Sequence, residues 1–277
     1  MGTVSVMTFS IVGRDPATGD LGVAVASKFL AVGSAVPAAR FGVGAIATQA
    51  FANTLYRRDG LAQLKLGSTA DEVVAALIAA DAGGDERQVG VVDRHGGAAT
   101  YTGPSCHDWA GGIAEDDVAI QGNILVGRQV IDAMHTAWVA TAGQPLPRRL
   151  LAALQAGDET GGDRRGRQSA ALLVVSATGG YTPGDDTAYD LRVDDHERPV
   201  RELARLLDLH DLYFGQPDES DLLPLEGELA DEVGRRLTAA GYADLADWAG
   251  VENLELRLRD GAIDPVVLER LRETTSL

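Results

Sequence analysis

Thr8 follows Met7 directly and opens an apolar stretch, Thr8-Phe9-Ser10-Ile11-Val12. A threonine in that place gains its own chemistry once the residues ahead of it are removed. Its α-amino group is then free, with a reference pKa of about 7.7–8.0, so a useful fraction is neutral near pH 7. Held beside the side-chain hydroxyl, that amine takes the hydroxyl proton, activates a poor nucleophile and returns the proton to a leaving amine. Residues 1–7 therefore read as an N-terminal extension whose removal would free Thr8, and the expected reaction is hydrolysis of a carbon–nitrogen amide bond. Left attached, the extension blocks this chemistry. Ser10 shares the strand face of Thr8 but cannot supply its own terminal amine.

Other residues could complete such a site. Lys28 closes the second apolar run, and a cation beside the amine would hold that amine neutral; a lysine reaching water from a strand end is the competing reading. Thr48, Gln49 and Asn53 leave a further apolar run, and Asn123 follows Gly122 at another strand exit. Both segments could offer donors to an oxyanion or to substrate, although asparagine is also ordinary turn chemistry. Asp163, Arg164, Arg165, Arg167 and Gln168 form a loop whose arginines suit a substrate carboxylate; a solvated surface loop would have the same composition. The catalytic candidates are Thr8, Lys28 and Asn123. Those for substrate binding are Thr48, Gln49, Asn53, Asp163, Arg164 and Gln168.

These residues need elements to position them. Apolar runs at 8–13, 21–27 and 42–48 predict strands, the first two joined by the turn Asp15-Pro16-Ala17-Thr18-Gly19-Asp20. Helical spacing follows from Leu55 to Gly67 and again from Ser68 or Thr69, where acids in the first turn favour a helix start. Strands return at 88–93 and 98–101 around Arg94-His95-Gly96-Gly97, and at 117–121. Helices are expected at 126–141 and 147–155, strands at 169–176 and 190–193, and a helix at 199–212. Strands and helices come in groups rather than alternating singly. That order predicts an α+β fold, a four-layer αββα sandwich, instead of a doubly wound sheet. The tail carries three helical segments, at 229–240, 245–258 and 265–273, the last opened by Asp264-Pro265. The expected organisation is the extension 1–7, a sandwich domain over 8–214 and a small all-α module over 215–277.

Bulk properties narrow the classes. The 277 residues carry a net charge of −17, of which −11 lies after Arg205. A phosphate backbone would be repelled, so no nucleic-acid partner is expected. No apolar run reaches the roughly 18 residues of a membrane span, and the first residues lack a secretory leader pattern; a cytoplasmic address is expected. Cys106 is the sole cysteine, which rules out an intramolecular disulfide. The five histidines show no ligand spacing, so neither metal nor cofactor is expected. Cys106-His107-Asp108 invites a nucleophile–base reading, but adjacent residues rarely meet productively. Gly42-Val43-Gly44-Ala45-Ile46-Ala47 has the letters of a dinucleotide fingerprint without the helix opening that the motif requires.

The quoted segments Thr8–Asp15, Leu21–Ser34, Thr48–Asn53, Gln121–Leu125, Gly161–Leu172 and Asp190–His196 resemble the bacterial domain-of-unknown-function 1028 family over residues 8–214. That resemblance implies the N-terminal-nucleophile hydrolase sandwich, with no settled substrate. Ala239-Ala240-Gly241-Tyr242 and Asp260-Gly261-Ala262-Ile263-Asp264 are similar to a peptidoglycan-binding module sometimes attached to that family. The expected partners are a small-molecule or peptide substrate, a second copy of the chain, and a glycan at the tail. The competing class is a non-catalytic binding protein or scaffold whose tail docks a glycan or another partner. A third role for the tail is subunit packing through Leu222, Leu223 and Leu225.

Overall fold

The computed structural model describes residues 8–275. The expected extension, residues 1–7, lies outside them. The chain divides into two compact units, one ending at Arg205 and one beginning at Leu206.

The first unit is a mixed α/β arrangement of antiparallel sheets. Strands β1 (Thr8–Arg14) and β2 (Leu21–Ser27) form the expected hairpin. A short 3-10 turn precedes β3 (Pro37–Arg40), which pairs with β4 (Gly44–Ala50). Helices α1 (Leu55–Leu66) and α2 (Ala70–Ala79) follow. Thr69 caps α2 reciprocally with Glu72, closing the first-turn amides that a helix start leaves unpaired. Strands β5 (Arg87–Asp93), β6 (Ala98–Thr102), β7 (Gly111–Glu115) and β8 (Val118–Asn123) come next, then α3 (Gln129–Ala140) and α4 (Leu146–Glu159). The unit closes through β9 (Ser169–Val175), β10 (Thr187–Val193) and the first part of α5 (Pro199–Phe214). At the β5–β6 hairpin Gly96 takes φ +92°, a conformation that favours glycine, while Asp93 accepts from the His95 and Gly97 amides.

One sheet runs β10-β9-β2-β1-β8-β7 and the other β3-β4-β5-β6. Strand period decides what each face meets. On β4 and β5, Ile46, Val89 and Val91 pack with Tyr56 and Leu64 of α1 and with Val73, Val74 and Leu77 of α2. The alternate residues Ala45, Ala47 and Val92 join Val12, Val23, Val25, Ala119 and Ala171 from the six-stranded sheet in a separate cluster. The two sheets therefore meet on those faces. The opposite side of β1 and β2 contacts α4, and β7 and β8 contact α3. Gly13 lies so close to Trp138 of α3 and Leu150 of α4 that a Cβ there would fall 2.8 Å and 3.0 Å from them.

Strands β3 and β7 were not separately anticipated. β3 lies between the runs at 21–27 and 42–48 and is only half buried, and Gly111-Gly112 gives β7 a weak apolar pattern.

The second unit holds the rest of α5, a two-residue strand β11 (Leu223–Pro224), α6 (Gly227–Ala240), α7 (Leu245–Glu252), a matching strand β12 (Ala262–Ile263) and α8 (Pro265–Thr274). The expected helix 245–258 stops early because Asn253 turns left-handed at φ 58°. Val233, Leu237, Trp248, Leu254, Ile263, Val267, Leu268 and Leu271 form its core. Asp264 caps α8 through the Val266 amide and pairs with Arg257 at 2.7 Å, and both side chains are nearly buried. Arg257 also donates to the Asp211 and Leu212 carbonyls. Breaking such a pair leaves an uncompensated buried charge costing about 3–5 kcal/mol. Arg257→Met should therefore open this small unit, read as rapid limited proteolysis within residues 206–277. A cleavage rate equal to wild type would show that the pair is dispensable. On its surface, Arg272 and Arg236 both bond Glu232 and hold its carboxyl down at about 2.

Candidate functional site

Ladder registers carry the site. Thr8 is paired with Ser27 on one side and Asn123 on the other, and Ser27 with Ser169. The next row on the same face is Gln121, Ser10, Val25 and Ala171. The third is Ala119, Val12, Val23 and Leu173. Polarity thus falls from row to row along the strands. The opposing sheet repeats the gradient, with Gln49-Gln88-Thr102, then Ala47-Gly90-Thr100, then Ala45-Val92-Ala98. The two polar ends face each other.

Hydrogen bonds stitch them together. Gln88 Oε1 accepts from Gln49 Nε2 at 2.7 Å and from Asn123 Nδ2 at 2.9 Å. Gln88 Nε2 donates to Thr102 Oγ1 and to the Gly122 and Gly111 carbonyls. Ser10 donates to Gln49 Oε1 and accepts from Gln121 Nε2, both at 2.6 Å. Gly90 makes room, since a Cβ there would fall 2.0 Å from Gln121 Oε1. Thr8 sits at the end of this cluster. Its carbonyl accepts from Gln49 Nε2 at 3.3 Å and Asn123 Nδ2 at 3.4 Å, and its hydroxyl donates to Ser27 Oγ at 3.2 Å. Thr8, Ser10, Gln49, Gln88 and Gln121 all have 0% exposure. Burying so many amides is tolerated because they satisfy one another.

The remaining candidates scatter around this cluster. Both N–H bonds of the Asn123 amide are engaged, so Asn123 orients Thr8 and Gln88. Lys28 is exposed one residue beyond Ser27, and its ammonium donates to the Arg167 carbonyl. Thr48 is buried on the α1-facing side of β4 and bonds the Asn53 carbonyl. Asn53 accepts from the Leu55 amide at the start of α1 and donates to Asp81. Asp163 is buried and accepts from the Lys28 amide at 2.7 Å and the Arg165 amide at 2.9 Å. Burial outweighs those bonds and pushes its carboxyl above the usual carboxylate range. Arg164 is exposed, with its amide on the Ile124 carbonyl, and Gln168 bonds Asp195.

Gln88, Gln121 and Ser27 were not anticipated. The signal was present for the first two: an amide on the inward register of an otherwise apolar buried strand demands polar partners. Cys106 and His107 do not meet as a nucleophile and base. The Cys106 thiol donates to the Arg87 carbonyl and is pushed up by burial, while the His107 ring lies against Phe51. The Gly42–Ala47 letters run into β4. Among the described residues, no group of three or more His, Cys, Asp or Glu side chains is placed to hold a metal ion.

A second polar cluster braces the exit of β4. Asp81 accepts from Arg87, Asn53, Tyr56 and the Gly83 amide. The Arg87 guanidinium is the main reason its carboxyl lies far below the usual range, and burial beside Asp81 drives the Tyr56 hydroxyl above its own. A depressed carboxylate contributes stability that is present above its unfolded value, about 3.9, and is lost as pH falls through the folded one. Acid unfolding midpoints should therefore show a loss of stability below about pH 4 that Asp81→Asn removes. An identical acid profile in that variant would discount the clamp.

A model described as "Family of unknown function (DUF1028)" matches residues 8–203, and the chain belongs to that family. A second model, described as "Putative peptidoglycan binding domain", matches residues 213–271. The crystal structure of protein SPO2555 from Silicibacter pomeroyi, of the same family, is similar, with 31% identity and a TM-score of 0.66 over 82% of this chain and 93% of that one. No curated protein matches the chain. No helix among the described residues is long and apolar enough to cross a membrane.

Proposed function

We propose that the first unit is an N-terminal-nucleophile amidohydrolase built on a four-layer αββα sandwich, inactive until residues 1–7 are removed. One observation carries the reading. Thr8 opens β1 at the polar end of the inter-sheet space, its hydroxyl on Ser27 and its carbonyl held by two buried amides. Freed at its nitrogen, Thr8 would pass its hydroxyl proton to its own amine as Oγ1 attacks an amide carbonyl carbon. The carbon–nitrogen bond would break as that proton moves to the leaving amine, and water would then hydrolyse the ester and restore the hydroxyl. Gln49 and Asn123 would fix the backbone of the nucleophile. Intact-mass measurement of the protein isolated from its own cells tests this: the reading expects a chain beginning at Thr8, and a chain retaining residues 1–7 overturns it.

A second reading is favoured by a specific observation. Thr8 is fully buried in the chain that still carries residues 1–7, and the amides around it satisfy one another. Such a cluster also suits a scaffold that only pins two sheets together. In that case the tail carries the function, and the match over 213–271 supports contact with peptidoglycan. Co-sedimentation of the full chain with isolated cell-wall sacculi should then retain it, whereas a chain left in the supernatant removes the glycan from both readings. A peptidoglycan ligand and the expected cytoplasmic address pull apart, and the same experiment bears on both. A homodimer remains part of the proposal and is checked by sedimentation velocity.

A further inference from the structure

Three side chains bond Thr8, each from a different strand. Ser27 Oγ on β2 accepts from the Thr8 hydroxyl at 3.2 Å, while Gln49 Nε2 on β4 and Asn123 Nδ2 on β8 donate to its carbonyl at 3.3 Å and 3.4 Å. Each of these strands then exits through a non-glycine residue in the left-handed region. Ala50 closes β4 at φ 66°, Ile124 follows Asn123 at φ 49°, and Ala31 stands in the connection after β2 at φ 53°.

That conformation crowds the Cβ of any L-residue against its own backbone. Among the described residues, the other non-glycine positions that adopt it are Asp117 and Asn253, whose short polar side chains tolerate it. Glycine carries it at Gly67 and Gly241, where α1 and α6 end. The three residues with no such relief therefore all lie at the exits of the strands that hold Thr8. Each is pinned by its neighbours. The Ala31 amide donates to the Asp194 carbonyl at 2.9 Å, and its own carbonyl accepts from the Ser34 amide and hydroxyl. The Ala50 carbonyl accepts from the Ala52 amide, and Arg87 Nη1 holds the next carbonyl, that of Phe51, at 2.6 Å. The Ile124 amide donates to the His107 carbonyl, and its carbonyl accepts from the Arg164 amide. Strained backbone of this kind persists only where its surroundings over-determine it, and it gathers at functional sites.

We infer that Ala31, Ala50 and Ile124 are positioning residues, which act through Ser27, Gln49 and Asn123 to hold Thr8 in one geometry. Glycine would make the same turns more comfortably but would leave the exits freer to move. What the geometry serves rests on the proposed hydrolase reading; the positioning itself is testable without turnover.

The test is the double variant Ala31→Gly/Ala50→Gly, with Asn253→Gly in the second unit as a control that eases the same conformation far along the chain from Thr8. Ile124 is left alone, since its side chain is buried and glycine would leave a cavity. The double variant should melt no lower than wild type by circular dichroism, because relief of strain offsets the lost methyls. In the full chain, the side-chain amide protons of Gln49, followed by NMR, should exchange with solvent at least about tenfold faster in the double variant and at the wild-type rate in the control. Unchanged exchange, or a lowered melting temperature that accounts for the faster exchange, would overturn the positioning. The chain beginning at Thr8 is then treated with p-nitrophenyl acetate. Thr8 Oγ1 attacks the acetyl carbon, p-nitrophenolate leaves, and the hydroxyl proton passes to the α-amine. The ester so formed is read as a hydroxylamine-labile acetyl group on the N-terminal peptide. It should form about tenfold more slowly in the double variant than in wild type or the control, as misplacement of a nucleophile predicts. An equal rate in the double variant would overturn the positioning. A wild-type chain that forms no such ester would overturn the hydrolase reading instead, and the exchange rates then decide the positioning alone.

Discussion

Replacing Gln88 by leucine should lower the free energy of unfolding by about 3–5 kcal/mol. The side chain is fully buried and its amide makes five hydrogen bonds, reaching Gln49, Thr102, Asn123 and two backbone carbonyls. Leucine fills similar space but leaves the Gly111 and Gly122 carbonyls without that donor and the Gln49 and Asn123 amides without that acceptor. Each buried group left unsatisfied costs about 1–3 kcal/mol. Part of the loss is recovered, because Gln49 Nε2 also reaches the Thr8 and Gln121 carbonyls, each at 3.3 Å. Urea titration measures the change. A midpoint within experimental error of wild type would mean the cluster contributes nothing to stability.

On the proposed hydrolase reading, Thr8→Ala should remove amide hydrolysis from a chain beginning at residue 8, a loss of at least about a thousandfold, since that reading gives the attack to the Thr8 hydroxyl. The fold should survive. The lost hydroxyl makes one bond to Ser27 at 3.2 Å, and the carbonyl contacts that tie Thr8 to Gln49 and Asn123 remain. A net loss of about 1 kcal/mol is the expected stability effect. The informative pair of measurements is turnover on a panel of small amides and the melting temperature of the same preparation. Turnover equal to wild type would take Thr8 out of the reaction, and collapse of the melting transition would recast it as a structural residue. Thr8→Ser keeps the hydroxyl and the terminal amine and should retain measurable turnover.

Much of the architecture was legible because it rests on periodicity. Continuous apolar runs marked the strands and their grouping pointed to packed sheets, while Ser68 or Thr69 with acids in the first turn marked a helix start, whose cap is Thr69. β3 and β7 escaped because they are short and half-exposed, so burial writes little of their pattern into the residues. The site was harder. Thr8, Gln49 and Asn123 were chosen separately, for terminal chemistry and strand-exit polarity, and they converge on one cluster. Thr48 and Asn53 were chosen on the same grounds and instead brace the start of α1, because facing depends on register that spacing alone cannot settle. Gln88 and Gln121 were read as strand residues, although an inward amide among valines was a signal in its own right.

The stepwise change from amides to valines between the sheets bears on how the chain avoids misalignment while it folds. Shifting β1 by one position would turn Phe9 and Ile11 onto the inter-sheet face, and the hydrophobic pattern alone forbids it. Shifting by two preserves the alternation and would pass that filter. It would, however, bring Val12 opposite Gln121, where Ser10 now belongs, and strand the amide without its hydroxyl partner. Gln121 therefore acts as a key that counts against sliding β1 in that direction, an even-numbered error that greasy surfaces cannot detect.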